Sequence, residues 1–188
     1  MKKMLVFLLL GMSQLAFAQK GKPYPGFPEK FETPLAETKS KYGKGEVVFK
    51  SGNWTLEQAL IGDAADKDRF KGKQAIRMQQ NLDAPSLLQM NFDLPNGASK
   101  VSFQYGAYGK DRSCTFILEY SSDEGKTWSR ADQVITDASD GLSTATFKFD
   151  IKGNVRFRIN KIGLGSSEKE ASIKNGRLNI DDFTVYQN

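Results

Sequence analysis

Histidine is absent from the 188-residue chain, and cysteine occurs once, as Cys114. Without histidine no Ser-His-Asp or Cys-His nucleophile can be assembled, and no imidazole can hold zinc or iron. A single cysteine excludes an intrachain disulfide and every multi-cysteine metal cluster. Long apolar runs are also scarce, and the one at Met4 to Met12 is too short to cross a bilayer comfortably. The chemistry left is that of carboxylates, of a lone Ser/Lys pair, or of metals held by oxygen. What the chain does have suits a globular domain: 39% hydrophobic and 26% charged residues, with 13 phenylalanines to fill a core.

The first 18 residues read as an address. Lys2 and Lys3 precede the apolar run, and Ala16-Phe17-Ala18 supplies small residues at a cleavage site, the layout of a secretory signal peptide. No cysteine follows, so the lipoprotein route is closed. The expected mature protein is secreted, periplasmic or at the cell surface, with no membrane insertion after cleavage. Loss of Lys2 and Lys3 lowers the net charge of +5 by two. That mild excess does not point to a nucleic-acid partner.

Residues 19–30 (QKGKPYPGFPEK) form a Pro/Gly-rich leader, expected to be extended and weakly ordered. Residues 31–188 read as one all-β domain. Apolar and polar residues alternate from Leu88 to Leu94, Val101 to Tyr105, Cys114 to Tyr120, Phe147 to Ile151 and Val155 to Ile159. Further strands are expected at Val47 to Lys50, Trp54 to Ile61, Ala75 to Gln79 and Leu178 to Tyr186, with Leu56 to Ala59 also suiting a helical turn. Pro95-Asn96-Gly97, Asp123-Glu124-Gly125 and Lys152-Gly153-Asn154 supply the turns. About eight to ten short antiparallel strands at this spacing predict a β-sandwich jelly roll.

Four side chains are candidate ligand contacts. Arg156 and Arg158 share a strand face, with Lys148 expected opposite, and Arg77 is a similar cation. Tyr108, in the Gly106-Ala107-Tyr108-Gly109 loop, is the aromatic expected to be exposed, whereas Trp54 and Tyr105 fit core positions. The loops Asp63 to Lys71 and Tyr105 to Asp111 are the expected contact regions. Ser121 to Trp128 fits S-x-D-x-G-x-T-W and resembles an Asp-box hairpin, read here as a stable turn. Asp63, Asp66 and Asp68 form an acidic loop with oxygens at alternate positions. Glu32 and the Asp181-Asp182 pair converge if the first and last strands are neighbours, and clustered carboxylates repel unless a cation neutralises them. Cys114 reads as a buried small hydrophobe.

Several segments, in order, carry a resemblance: Phe31-Glu32-Thr33, Ser51 to Leu56, Ala59 to Gly62, Gly72 to Arg77, Met90 to Leu94, Val101 to Gly106, Asn154 to Ile159 and Asn179 to Val185. Together they resemble the MAM-like, galactose-binding-like jelly-roll module appended to secreted bacterial endonucleases and other surface proteins. The resemblance implies a non-catalytic extracytoplasmic module with a structural Ca²⁺ held by Glu32 and Asp181 or Asp182, and more weakly by Asp63 or Asp68. The expected function is a secreted binding module that recognises glycan or another cell-surface polymer. The alternative is an adhesive protein–protein domain of MAM type. A carboxylate glycosidase is a third reading, requiring two acids in one cleft.

Overall fold

The computed structural model describes residues 21–188. The expected signal peptide lies outside the described residues. Eleven antiparallel strands and one short 3₁₀ turn, Ala36–Lys39, make up the described architecture. In chain order the strands are β1 Gly45–Phe49, β2 Gly52–Glu57, β3 Ala59–Gly62, β4 Ala75–Met78, β5 Ser86–Met90, β6 Ala98–Ala107, β7 Phe116–Ser121, β8 Ser129–Ile135, β9 Ser143–Ile151, β10 Arg156–Lys161 and β11 Leu178–Tyr186. They form two sheets, a six-stranded one in the order β1-β2-β5-β10-β7-β8 and a five-stranded one in the order β3-β4-β11-β6-β9. The result is a β-sandwich jelly roll, as the alternating pattern requires.

Two departures explain why eleven strands form. The stretch Trp54 to Ile61, expected as one strand, breaks at Gln58, whose φ is 51°. Glu57 pairs with Leu87 in one sheet and Ala59 with Met78 in the other, so this residue carries the chain across the sandwich. Strand β8 was not legible. Its only buried side chains are Ala131 and Ile135, four apart. A bulge between the Ile117 and Glu119 pairings sets extra β8 residues against β7 and destroys the alternation.

The leader also departs from expectation. Tyr24, Phe27 and Glu29 are buried. Strand β4 covers only Leu178 to Ile180 of β11, and the leader takes the edge that remains. The backbones of Glu29 and Phe183 exchange hydrogen bonds of 2.7 and 2.9 Å, and the Tyr24 N–H donates to Val185 O at 3.0 Å. The Tyr24 hydroxyl donates to Gly97 O at 2.8 Å. The carboxylate of Glu29 accepts from the N–H groups of Phe31 and Ser51 at 2.9 and 2.7 Å. Proline removes donors, but three anchoring side chains and a free sheet edge outweigh that loss.

Aromatic rings bridge the sheets. Phe183 of β11 lies 5.3 Å from Trp54 of β2 and 5.6 Å from Phe103 of β6 between ring centroids, and Phe31 lies 5.8 Å from Trp54. At the opposite end Lys161, only 2% exposed, follows Phe157 and Ile159 on the inward face of β10. Its ammonium donates to Asn175 Oδ1. The Asn175 amide in turn donates to Leu82 O and Gly165 O, at 3.3 and 2.6 Å, and so ties the end loops together. Burial also pushes the neighbouring Cys114 thiol up to about 12, an inert thiol.

Burial lowers Lys161 to about 8. Between that value and about 10.4, the ordinary lysine value, the unfolded chain binds more protons than the folded one, so this group's contribution to stability rises with pH. Urea unfolding across this window should show wild type gaining on Lys161→Met, by up to about 3 kcal/mol. A constant difference between the two proteins would contradict the burial of a charged lysine.

Candidate functional site

The expected ligand residues separate into two places. Arg156 and Arg158 stand on the outer face of the six-stranded sheet, and each is already paired. Arg156 Nε meets Asp93 Oδ1 at 2.6 Å, and Arg158 Nε meets Glu119 Oε2 at 2.5 Å. The Arg158 guanidinium also lies 4.1 Å from the ring centroid of Trp128. Lys148 does not face them: it pairs with Lys100 in the other sheet.

Trp128 closes the Asp-box-like hairpin, its indole donating to Gly125 O at 3.1 Å. Asp123 accepts from the Thr127 hydroxyl and N–H at 2.6 and 2.9 Å and from the Ser121 hydroxyl at 2.7 Å. The Thr127 hydroxyl first, then these other donors, hold its carboxyl well below the usual carboxylate range. The turn satisfies itself, as its sequence suggests.

Arg77 and Tyr108 meet at one end of the five-stranded sheet. Tyr108 is not exposed, as expected from its loop, but 7% accessible. Two guanidiniums lie over its ring, Arg77 at 4.7 Å and Arg177 at 3.9 Å from the centroid. Each cation has its own carboxylate. Arg77 Nη1 reaches Asp68 Oδ2 at 3.1 Å, and Arg177 reaches Asp111 through two bonds of 2.6 and 2.7 Å. The ring's π-electrons and the two acids therefore hold both cations in place. Asp68, expected in a solvated acidic loop, is buried and also accepts from the Ala64 N–H and the Asn179 amide at 2.9 and 2.8 Å.

Above this stack the two expected contact loops meet. They enclose an open cavity of about 550 Å³ whose walls include Asp66, Lys67, Arg69, Tyr108, Lys110, Asp111, Asp140 and Arg177. Its floor is fastened to β11: Arg69 N–H donates to Asn179 Oδ1 at 3.1 Å and Lys71 N–H to Asp181 Oδ2 at 2.8 Å. Sequence reasoning named both loops but missed Arg177 and Asp140. Arg177 lies outside any alternating stretch, and only the fold brings it 66 positions back to Asp111.

The expected metal ligands separate too. Glu32, Asp181 and Asp182 line one cavity of about 200 Å³, together with Lys30 and Lys71, and Asp63 is not part of it. Burial first, then the charges of Asp182 and Glu32, push Asp181 up to about 6, against two backbone N–H donors. Glu32 accepts from Lys73 N–H at 3.0 Å, and Lys71 Nζ lies 3.2 Å from Asp182 Oδ2. Among the described residues no three acidic, cysteine or histidine side chains are gathered closely enough to hold a metal ion as they stand.

No protein-family model matches the chain, and no curated protein does either. Solved structures do. The K2 cleaved adhesin domain of Lys-gingipain is 13% identical, with a TM-score of 0.59 over 85% of this chain and 97% of that one. A family 35 carbohydrate-binding module from Paenibacillus barcinonensis is 18% identical, with a TM-score of 0.47 over 77% and 98%. A family 61 carbohydrate-binding module, solved with β-1,4-galactotriose, is 16% identical, with a TM-score of 0.48 over 72% and 88%. The adhesin domain shares the sandwich architecture. No helix among the described residues is long and apolar enough to cross a membrane.

The Arg77–Asp68 pair is a structural element, because Asp68 is fully buried. Arg77→Leu leaves that carboxylate without its cation and should cost about 3–5 kcal/mol in denaturant unfolding. Adding Asp68→Asn should recover part of the loss. Equal stability of wild type and Arg77→Leu would contradict this role.

Proposed function

We propose that this protein is a secreted, non-catalytic binding module and that its ligand is a glycan, taken up in the cavity above the Tyr108 stack. The observation that carries the reading is the cavity itself. Its volume of about 550 Å³ lies in the range of small-ligand sites. Its walls offer carboxylates and cations together, the donors and acceptors that neighbouring sugar hydroxyls need. The paired arginines beneath keep those walls in place before the ligand arrives, which lowers the ordering cost of binding. The adhesin-domain likeness supports the fold on which this reading rests.

Affinity electrophoresis against a panel of neutral and acidic polysaccharides tests it. At least one should retard the protein, and Lys110→Ala or Asp66→Ala should reduce the retardation. Lys148→Ala, exposed and not among the cavity's lining residues, should leave it unchanged. A blank panel would overturn the glycan reading, and capture of a surface protein in its place would move the module to the adhesive, MAM-type alternative.

We also propose a calcium ion at Glu32, Asp181 and Asp182, the site that the resemblance implies. What supports it is the shared cavity, in which burial first and then the charges of Asp182 and Glu32 push Asp181 up. Lys71 now supplies the neutralising charge on Asp182, so calcium must displace it. A ligand that binds only the folded state raises the melting midpoint. Excess Ca²⁺ should therefore raise Tm over EDTA, and Asp182→Asn should abolish the shift. Equal midpoints would leave Lys71 as the counter-ion and remove the proposal.

A further inference from the structure

Five of the arginines among the described residues are half-buried: Arg69, Arg77, Arg156, Arg158 and Arg177. Four of them end on a carboxylate, at 3.1, 2.6, 2.5 and 2.6 Å for Arg77, Arg156, Arg158 and Arg177. Arg69 has no carboxylate partner among the described residues. One of its terminal nitrogens donates to Gly109 O at 2.8 Å, and its Nε is buried with no partner. The stem is held close against β6 at Gly106, where an added Cβ would stand 3.1 Å from Arg69 Cγ. The guanidinium is thus positioned, half-desolvated and left without a counter-charge.

Such a group costs free energy unless an anion reaches it. Arg69 lines the 550 Å³ cavity. The other basic side chains of that wall differ in kind. Arg177 is consumed by the two-bond pair with Asp111. Lys67 and Lys110 are exposed, as are the acids Asp66 and Asp140, so water screens all four. The desolvated charge in the cavity that lacks a partner is therefore positive, and it belongs to Arg69.

We infer that the ligand of this cavity carries an anionic group, the carboxylate or sulfate of an acidic saccharide, and that Arg69 receives it. The inference rests on the reading of the cavity as a glycan site. A guanidinium matches a carboxylate or sulfate through parallel N–H donors, and a hydrogen bond between opposite charges is about twice as strong as one between neutral groups. Lys67 and Lys110 add attraction at the rim that salt weakens.

Calorimetric titration with three probes of matched length tests it: an oligogalacturonate for the carboxylate, a sulfated galactan for the sulfate and a neutral galactan. One acidic probe should bind at least about tenfold tighter than the neutral one, an advantage that shrinks with salt. Whichever acidic probe wins names the anion. Arg69→Met should erase the advantage, bringing the ratio of acidic to neutral affinity to about one. Arg69→Lys, which keeps a flexible stem and the charge, serves if the methionine variant does not fold, and it should lower that ratio. Equal binding of neutral and acidic probes, or an acidic preference unchanged in a folded Arg69 variant, overturns the inference and leaves the glycan reading standing. No binding of any probe, together with a blank polysaccharide panel, overturns both.

Discussion

Strand β11 cannot run straight, and much of the molecule depends on how it bends. Its register shifts between Asp181 and Thr184, and Asp182 takes a φ of 49°. A straight strand would send Asp181 and Phe183 to one face and Asp182 to the other. The bulge separates these tasks. Phe183 enters the core between Trp54 and Phe103. The Asp181 carboxylate instead accepts from the N–H groups of Lys71 and Asp182 at 2.8 and 2.7 Å. One irregular residue therefore fixes the aromatic bridge between the sheets and one wall of the long loop before β4. It also ends the reach of β4 and opens the edge that the leader occupies. Bulges that re-aim side chains in this way are built features, not defects.

The same strand organises the candidate site. Asn179, two residues before Asp181, donates its amide N–H to Asp68, and its Oδ1 accepts from the Arg69 backbone N–H. Asp68 then holds Arg77, Arg77 and Arg177 lie over Tyr108, and Arg177 is held by Asp111. Charges arranged in such a chain cost much to break singly, because each removal strands a neighbour. The floor of the cavity is therefore stiff for an electrostatic reason, while its rim residues are exposed and replaceable.

How legible this was varies by residue type. Alternation showed the strands β6, β9 and β10, where one face is apolar and the other polar. It failed at β8, where a bulge breaks the period, and at Gln58, where one residue with positive φ divides a run that reads as continuous. The leader was misread because proline content speaks of local stiffness. Three buried side chains and a free edge on a distant strand decided the matter. At the site the loops were legible and the roles were not. Tyr108 reads as an exposed aromatic because its neighbours are glycine and alanine, and the two arginines that cover it come from β4 and from the turn before β11.

Charge pairing is the part of a site that sequence hides most completely. Arg69 and Arg77 look alike in one dimension, each with an aspartate a few residues away. Asp68 sits immediately before Arg69, yet its carboxylate turns to Arg77, nine residues on. Neighbours in a chain with alternating directions point apart, whereas cross-strand and cross-loop groups meet. The acid nearest in sequence thus belongs to the other cation, and Arg69 is left over by geometry. A leftover charge in an exposed position would mean little, since water satisfies it. At Arg69 the stem is fixed, the Nε is buried without a partner, and the side chain lines the cavity. That combination separates an unpaired charge with a role from the many solvated ones on the surface.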